Sequence, residues 1–262
     1  MKPDLLGRQA LVCGASQGIG RAAAIALAER GASVIVLARQ VEALDALVRL
    51  LPRNHAEQVH GYISADVGEH ESLVRKVQAS ANARPIEILV NNTAGPAPGT
   101  VQSATAEQFL DTFQRHLLAN HALAQTLLPG MKTQAFGRII NVISTSVKEP
   151  IRNLGVSNTI RGAVASWAKT LAAEVAAQGI TVNNVLPGFT RTQRLEQIIV
   201  ERMQATGQDR ESIERGMLAS VPAQRFAEPA EIAAAIAFLA SPGAGYVNGI
   251  NLPVDGGRTQ SL

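Results

Sequence analysis

The chain holds a single cysteine, Cys13, in 262 residues, so it forms no internal disulfide. No Cys/His pairing stands at zinc-ligand spacing, and no metal site is expected. Cys13 falls in an apolar strand, which makes it a buried, inert thiol rather than a nucleophile. No apolar run approaches the ~18 residues of a membrane span, and the opening MKPDLLGRQA has no signal-peptide core. Membrane partners are therefore not expected, and a reducing cytoplasm is the expected location. The formal net charge of +3 is spread without a Lys/Arg block, which argues against nucleic-acid binding. Tyrosine is scarce, with only Tyr62 and Tyr246 present.

Apolar residues make up 46% of the chain and charged residues 17%, a balance suited to a globular protein with strands buried on both faces. The length fits one α/β domain, residues 1–262. Short β-branched runs alternate with helix-period segments, the pattern of a parallel sheet wound by crossover helices. Strands are expected near Gln9–Cys13, Ser33–Leu37, Val59–Ser64, Ile86–Val90, Gly137–Ile143, Ile180–Val185 and Ile250–Leu252. Helices should begin near Gly18, Val41, Glu69, Thr105, Ser157 and Pro229. The predicted fold is a Rossmann-type, doubly wound, seven-stranded parallel sheet with helices on both faces. From about 190 to 227 the pattern turns polar and studded with Arg and Glu, with a break at Gly207; this insertion is expected to form a helical substrate lid. Its arginines, Arg191, Arg194, Arg202, Arg210 and Arg215, are offset by Glu196, Glu201, Glu211 and Glu214, the pattern of a solvated, salt-bridged helix pair.

The first strand runs into a glycine-rich turn, Gly14, Ala15, Ser16, Gln17, Gly18, Ile19, Gly20. Glycines at these spacings let the backbone turn sharply, approach a pyrophosphate and pack the following helix on the sheet. The helix N-terminus then offers free N–H groups and partial positive charge to phosphates. At the end of the second strand, Ala38-Arg39 stands where an acidic residue would accept the adenosine ribose diol. Arg39 offers a planar fork for a 2′-phosphate, which predicts NADP rather than NAD; the alternative is a simply solvated arginine.

Further motifs run along nearly the whole chain: Asp66-Val67, NNTAG at 91–95, Ser144, Pro187-Gly188 with Thr192, and Val254-Asp-Gly-Gly257. With the glycine turn they resemble the short-chain dehydrogenase/reductase family, near its 3-oxoacyl carrier-protein reductases and small polyol dehydrogenases. The resemblance implies that Asp66 and Val67 contact adenine. It also implies that Asn92, Ala94 and Gly95 hold the fourth strand beside the cofactor, and that Pro187, Gly188 and Thr192 border the nicotinamide. NNTAG is one residue longer than the family's N-N-A-G, so the roles of Asn91 and Asn92 stay open.

The resemblance also implies an active-site frame, and there this chain departs from the family. Counting from Ser144, Ser157 stands at the place of the family's acid Tyr and Arg161 at that of its Lys; counting back from Leu128-Pro129, His116 stands at that of an Asn. Ser157 is a far poorer acid than a phenol, and it could equally be a helix N-cap. Arg161 keeps its charge and several donors, so it suits an anchor for ribose hydroxyls or an electrophile that polarises an oxyanion, but not a proton donor. His116 could act as an acid or be an ordinary helix histidine.

The expected function is NADP(H)-dependent hydride transfer with a small carbonyl or alcohol substrate. Ser144 and Arg161 would polarise the oxygen, with His116, water or the substrate supplying the proton. The alternative is an NADP(H)-binding sensor or scaffold that has lost the chemistry. The Ala-rich helix from Ser157 to Ala177, with Ala163, Ala165, Ala168, Ala172, Ala173 and Ala176, together with the family resemblance, points to a homo-dimer or tetramer.

Overall fold

A computed structural model describes residues 3–261. Seven strands form one parallel sheet: β1 (Gln9–Cys13), β2 (Ser33–Ala38), β3 (Gly61–Ser64), β4 (Ile88–Asn92), β5 (Gly137–Val142), β6 (Ile180–Pro187) and β7 (Asn251–Val254). Their order is β3-β2-β1-β4-β5-β6-β7. The order reverses between β1 and β4, which leaves a crevice at the carboxyl ends of the strands where ligands of open α/β sheets bind. The expected fold class is observed.

The alternation of each strand sends its side chains to two faces. On one, Ala10, Val12, Val34, Val36, Val90 and Ile140 pack under helices α1 (Gly18–Glu29), α2 (Val41–Leu50) and α9 (Pro229–Ala240). On the other, Leu11, Ile35, Leu37, Leu89, Ile139 and Val182 pack under α3 (His70–Ala83), α5 (Ala119–Thr133) and α6 (Gly155–Val175). Each fully buried Leu or Ile in these layers contributes ~1.5–3 kcal/mol. Small residues such as Ala23, Ala24, Ala233 and Ala237 let α1 and α9 meet closely.

Several boundaries differ from expectation for local reasons. β3 starts at Gly61 rather than Val59 because the Val59 N–H goes to Ser33 Oγ (3.0 Å) and His60 Nδ1 accepts the Val34 N–H (3.1 Å). β4 runs on to Asn92 because Asn91 and Asn92 stay paired with β5. The helix expected near Thr105 is α4 (Ala106–Phe113), opened by a Thr105–Gln108 capping box and joined to α5 by a wider π-helical turn, Gln114–Leu118. α6 begins at Gly155 with Leu154 as N-cap, so Ser157 lies inside the first turn and the N-cap reading is corrected. Ala165, Ala168 and Ala172 of α6 are buried within the protomer's own packing, so they are not surface available to a partner; Ala173 and Ala176 face outward.

The insertion contains two helices, α7 (Gln193–Thr206) and α8 (Arg210–Leu218), broken at Gly207, whose φ of +70° closes α7. Arg210 pairs with Glu196 and with Glu214, and Arg215 pairs with Glu211, as the charge pattern predicted. Among the described residues, no helix is long and apolar enough to cross a membrane.

A polar feature crosses the sheet that the apolar reading of the strands did not anticipate. The carboxamides of Asn91, Asn141, Asn184 and Asn251 stand in register on β4, β5, β6 and β7 and bond in sequence at 2.8, 2.9 and 2.8 Å. Each bond satisfies groups that would otherwise be unpaired in the interior.

Candidate active site

The β1–α1 turn is shaped by what its glycines omit. Gly14 has φ +58°, and a Cβ there would lie 2.2 Å from the Asn92 carbonyl oxygen. A Cβ on Gly20 would lie 2.3 Å from the Gly14 carbonyl oxygen. Neither position accepts a side chain without moving backbone. The Asn92 amide donates to the carbonyls of Gly14 (3.2 Å) and Cys13 (3.4 Å), tying the end of β4 to the turn. The two asparagines left open by the sequence thus divide the work: Asn91 belongs to the buried ladder, Asn92 to the turn.

A cleft of about 820 Å³ opens above this junction, within the range of roughly 300–1,000 Å³ typical of small-molecule and cofactor sites. Of the sequence-predicted residues, Gly14, Ser16, Gln17, Gly18, Ile19, Arg39, Asp66, Val67, Asn92, Ala94, Gly95, Arg161, Pro187, Gly188 and Thr192 all line it. Gly20 lies just beneath, in the first turn of α1. Thr192 caps α7, its Oγ1 accepting the Leu195 N–H (3.4 Å), so the helix begins at the cleft wall.

At one end Asp66 accepts the Gly68 N–H (2.8 Å) and pairs with Arg115 (2.8 Å). The Gly68 bond, with Arg115 and Arg39 nearby, holds its carboxyl below the usual range against the effect of burial. Arg39 stands 3.9 Å from Asp66 and is largely exposed, so its fork is close to the cleft and unburied. Sequence reasoning missed Arg115, which the π-helical turn delivers to this end; nothing in the local pattern announces that turn.

At the other end Arg161 reaches across from α6. Its Nε donates to Ser157 Oγ (3.2 Å), one terminal nitrogen donates to the Val142 carbonyl (3.4 Å), and the other borders Gly95. Burial and the nearby charge of Arg194 pull its pKa down to about 10, which leaves it cationic at neutral pH. His116 is buried behind it, Nε2 lying 3.1 Å from the Ala94 carbonyl, so Nε2 carries the proton and donates. Burial, reinforced by Arg161, pushes the His116 pKa down to about 3. This shift and the Ala94 contact favour a neutral imidazole and weigh against the imidazolium-acid reading. Ser144 lies just past the end of β5, after Ile143; its Oγ accepts the Ser146 N–H (3.1 Å) and keeps its own proton available to donate. The structure thus brings Gly95, Ser157 and Arg161 into contact, with His116 behind them. Tyr62 is on β3 and Tyr246 is fully exposed outside β7. Cys13 is buried, and burial raises its thiol to about 12, in keeping with an inert thiol.

A parallel sheet with a glycine turn at its first βα junction and a cleft over the crevice defines a dinucleotide-binding α/β protein. The family model described as enoyl-(acyl carrier protein) reductase matches residues 14–259. A 3-oxoacyl-[acyl-carrier-protein] reductase of Vibrio cholerae is 37% identical, over 97% of this chain and 98% of that one. The NADPH-dependent reductase BacG of Bacillus subtilis is 29% identical over 97% and 99%. L-sorbose reductase from Gluconobacter frateurii, solved with NADPH and L-sorbose, superposes with a TM-score of 0.92 at 30% identity over all of both chains. The chain belongs to the short-chain dehydrogenase/reductase family.

Proposed function

We propose that this protein is an NADP(H)-dependent oxidoreductase acting on a small carbonyl or alcohol substrate through an altered active site. The observation that carries the reading is the joining of the glycine turn, Arg39 and Arg161 along one cleft. The turn fits a dinucleotide because its backbone is open where two Cβ atoms would close it. NADP is favoured over NAD by Arg39 and by the absence of an acidic side chain at the end of β2; the NADPH-dependent BacG and the NADPH-bound L-sorbose reductase point the same way.

When bound, the cofactor supplies or accepts hydride at its nicotinamide. The turn from Gly14 to Gly20 would hold the pyrophosphate, Asp66 and Val67 the adenine, and Pro187, Gly188 and Thr192 the nicotinamide. Ser144 would donate a hydrogen bond to the substrate oxygen, and Arg161 would stabilise negative charge developing there. Ser157, in place of the family's Tyr, accepts a bond from Arg161 and is too weak an acid to replace a phenol. With His116 neutral and its N–H directed at Ala94, the proton comes from water or the substrate. A general acid contributes ~10²- to 10⁴-fold, so its loss slows hydride transfer without abolishing it. α7 and α8 act as a substrate lid on this single domain.

The test sets NADPH oxidation across aldehydes, ketones and activated alkenes beside a direct measurement of NADPH binding. Turnover of any of them supports the oxidoreductase. Tight binding with no turnover favours a nucleotide sensor or scaffold.

A further inference from the structure

Among the described residues, Arg161 and Arg194 differ from the other arginines of the cleft in having no anionic partner. Arg115 and Arg39 both face Asp66, which is the only acidic side chain lining the cleft among the described residues. At the opposite end, Arg161 bonds only neutral oxygens, those of Ser157 and Val142. Arg194 bonds the Pro96 carbonyl at 3.2 Å. Among the described residues neither forms an ion pair, although the neighbouring lid arginines Arg191, Arg210 and Arg215 each do. Both side chains are partly buried, both line the same cleft, and the charge of Arg194 acts on Arg161.

Holding two cations side by side without a counter-charge is unfavourable in a partly desolvated cleft. The placement makes the imbalance local. Arg161 borders Gly95 and Arg194 bonds Pro96, the next residue, so both guanidinium groups converge on the loop after β4. Arg194 is the second residue of the 14-residue helix α7, and the partial positive charge of that N-terminus adds to the same potential. Guanidinium forks present paired donors that match a carboxylate or phosphate in geometry and charge.

We infer that Arg161 and Arg194 form a recognition site for an oxyanion carried by the substrate, a carboxylate or a phosphate, next to the carbon that exchanges hydride. This inference rests on the reading that substrate enters this cleft and names the class of substrate it takes. The oxyanion supplies the missing counter-charge. Because Arg161 belongs to α6 and Arg194 to α7, a bound oxyanion also ties the helical insertion to α6.

The experiment is calorimetric titration of the full-length protein, with and without saturating NADPH, using benzoate, phenyl phosphate and the uncharged benzamide as probes. Benzoate or phenyl phosphate is expected to bind at least about tenfold more tightly than benzamide, and whichever of the two binds better identifies the oxyanion. Arg194→Gln is expected to remove that preference while leaving the NADPH dissociation constant within about twofold, which also shows that the variant folds. Equal binding of benzoate, phenyl phosphate and benzamide overturns the inference. So does an Arg194→Gln protein that loses NADPH affinity about tenfold, because the partner of Arg194 is then a cofactor phosphate. Selective oxyanion binding with no turnover of any substrate leaves the site standing and removes the oxidoreductase reading. Turnover of uncharged carbonyls without oxyanion selectivity does the reverse.

Discussion

Arg161 donates its Nε–H to Ser157 Oγ, one helical turn earlier on α6, at 3.2 Å. The bond occupies a lone pair of the hydroxyl and fixes the guanidinium so that its terminal nitrogens reach the end of β5 and the loop after β4. The two side chains therefore act as one unit, a cation held across the end of the cleft. A cation placed this way stabilises charge that forms on an oxygen, but it has no proton to transfer at neutral pH.

Cofactor preference should depend on Arg39. The wild type is expected to bind NADPH roughly tenfold more tightly than NADH, the low end for a charge-assisted contact because the side chain is 77% exposed. Arg39→Asp should reverse that order, since a carboxylate repels the 2′-phosphate and accepts from the ribose diol. Equilibrium dissociation constants for both cofactors with both proteins measure the effect, and equal wild-type constants would remove the argument.

The acid side of the stability profile should carry the signature of His116. It titrates near 3 in the folded protein and near 6.5 when unfolded. Between those values only the unfolded chain takes up the proton, so stability declines as pH falls from about 6.5 toward 3. His116→Asn should flatten that decline by ~1–3 kcal/mol. His60 is also lowered by burial, so part of the slope stays. Denaturant unfolding of both proteins at pH 4.5 and pH 8 reads the difference; identical slopes would place the proton uptake elsewhere.

The asparagine ladder should be costly to interrupt. Asn141→Ala removes the partner of Asn91 and of Asn184 at once, and each orphaned buried amide group costs ~1–3 kcal/mol. A loss of ~2–4 kcal/mol in denaturant unfolding is expected; a change near zero would mean that water replaces the lost amide without penalty.

How far the sequence foretold these features depends on whether the signal was local. The seven strands, the glycine turn, the Gly207 break and the capped start of α9 all follow from residue types over a few positions. So do the glycine-turn residues and Arg39 of the cleft, whereas Asp66, Val67, Asn92, Ala94, Gly95, Arg161, Pro187, Gly188 and Thr192 were placed there by the family resemblance. The asparagine ladder was not foreseen because four isolated polar residues in apolar strands acquire meaning only from strand register. The start of α6 was misplaced for a related reason. Leu154 makes no side-chain cap bond, so the helix begins without a local mark, and Ser157 looked like the cap it is not. The pairing of Arg115 with Asp66 and the reach of Arg194 to Pro96 span 49 and 98 residues, beyond any local pattern.

Self-association should be visible in solution. β7 is the last strand of the sheet and leaves an open edge, while Phe238 of α9 and the fully exposed Tyr246 add apolar surface outside the protomer. Light scattering at micromolar concentration is expected to give a dimer or tetramer. Tyr246→Glu should shift it toward monomer if the tyrosine lies in the contact. A wild-type monomer at that concentration would refute the expectation.

The most decisive variant changes the paired residues of α6 together. Ser157→Tyr with Arg161→Lys places a phenol beside an ammonium group, which supplies a transferable proton and a cation that lowers its pKa. The Arg161→Lys change also takes one planar fork from the Arg161–Arg194 pair while keeping the charge, so cofactor binding has no electrostatic reason to fail. Ketone reduction should appear or rise, with a gain that could approach ~10²- to 10⁴-fold. The obstacle is volume: Ser157 is buried, and a tyrosine there must push into neighbours or point into the cleft. The double variant must therefore first be shown to unfold cooperatively and to bind NADPH like the wild type. If it passes and neither protein reduces anything, a phenol at this position does not by itself confer activity and the sensor reading gains. If the wild type reduces a substrate that the variant does not, the Ser157–Arg161 unit is itself the working arrangement, suited to a reaction whose product oxygen is stabilised by a fixed cation and protonated by water.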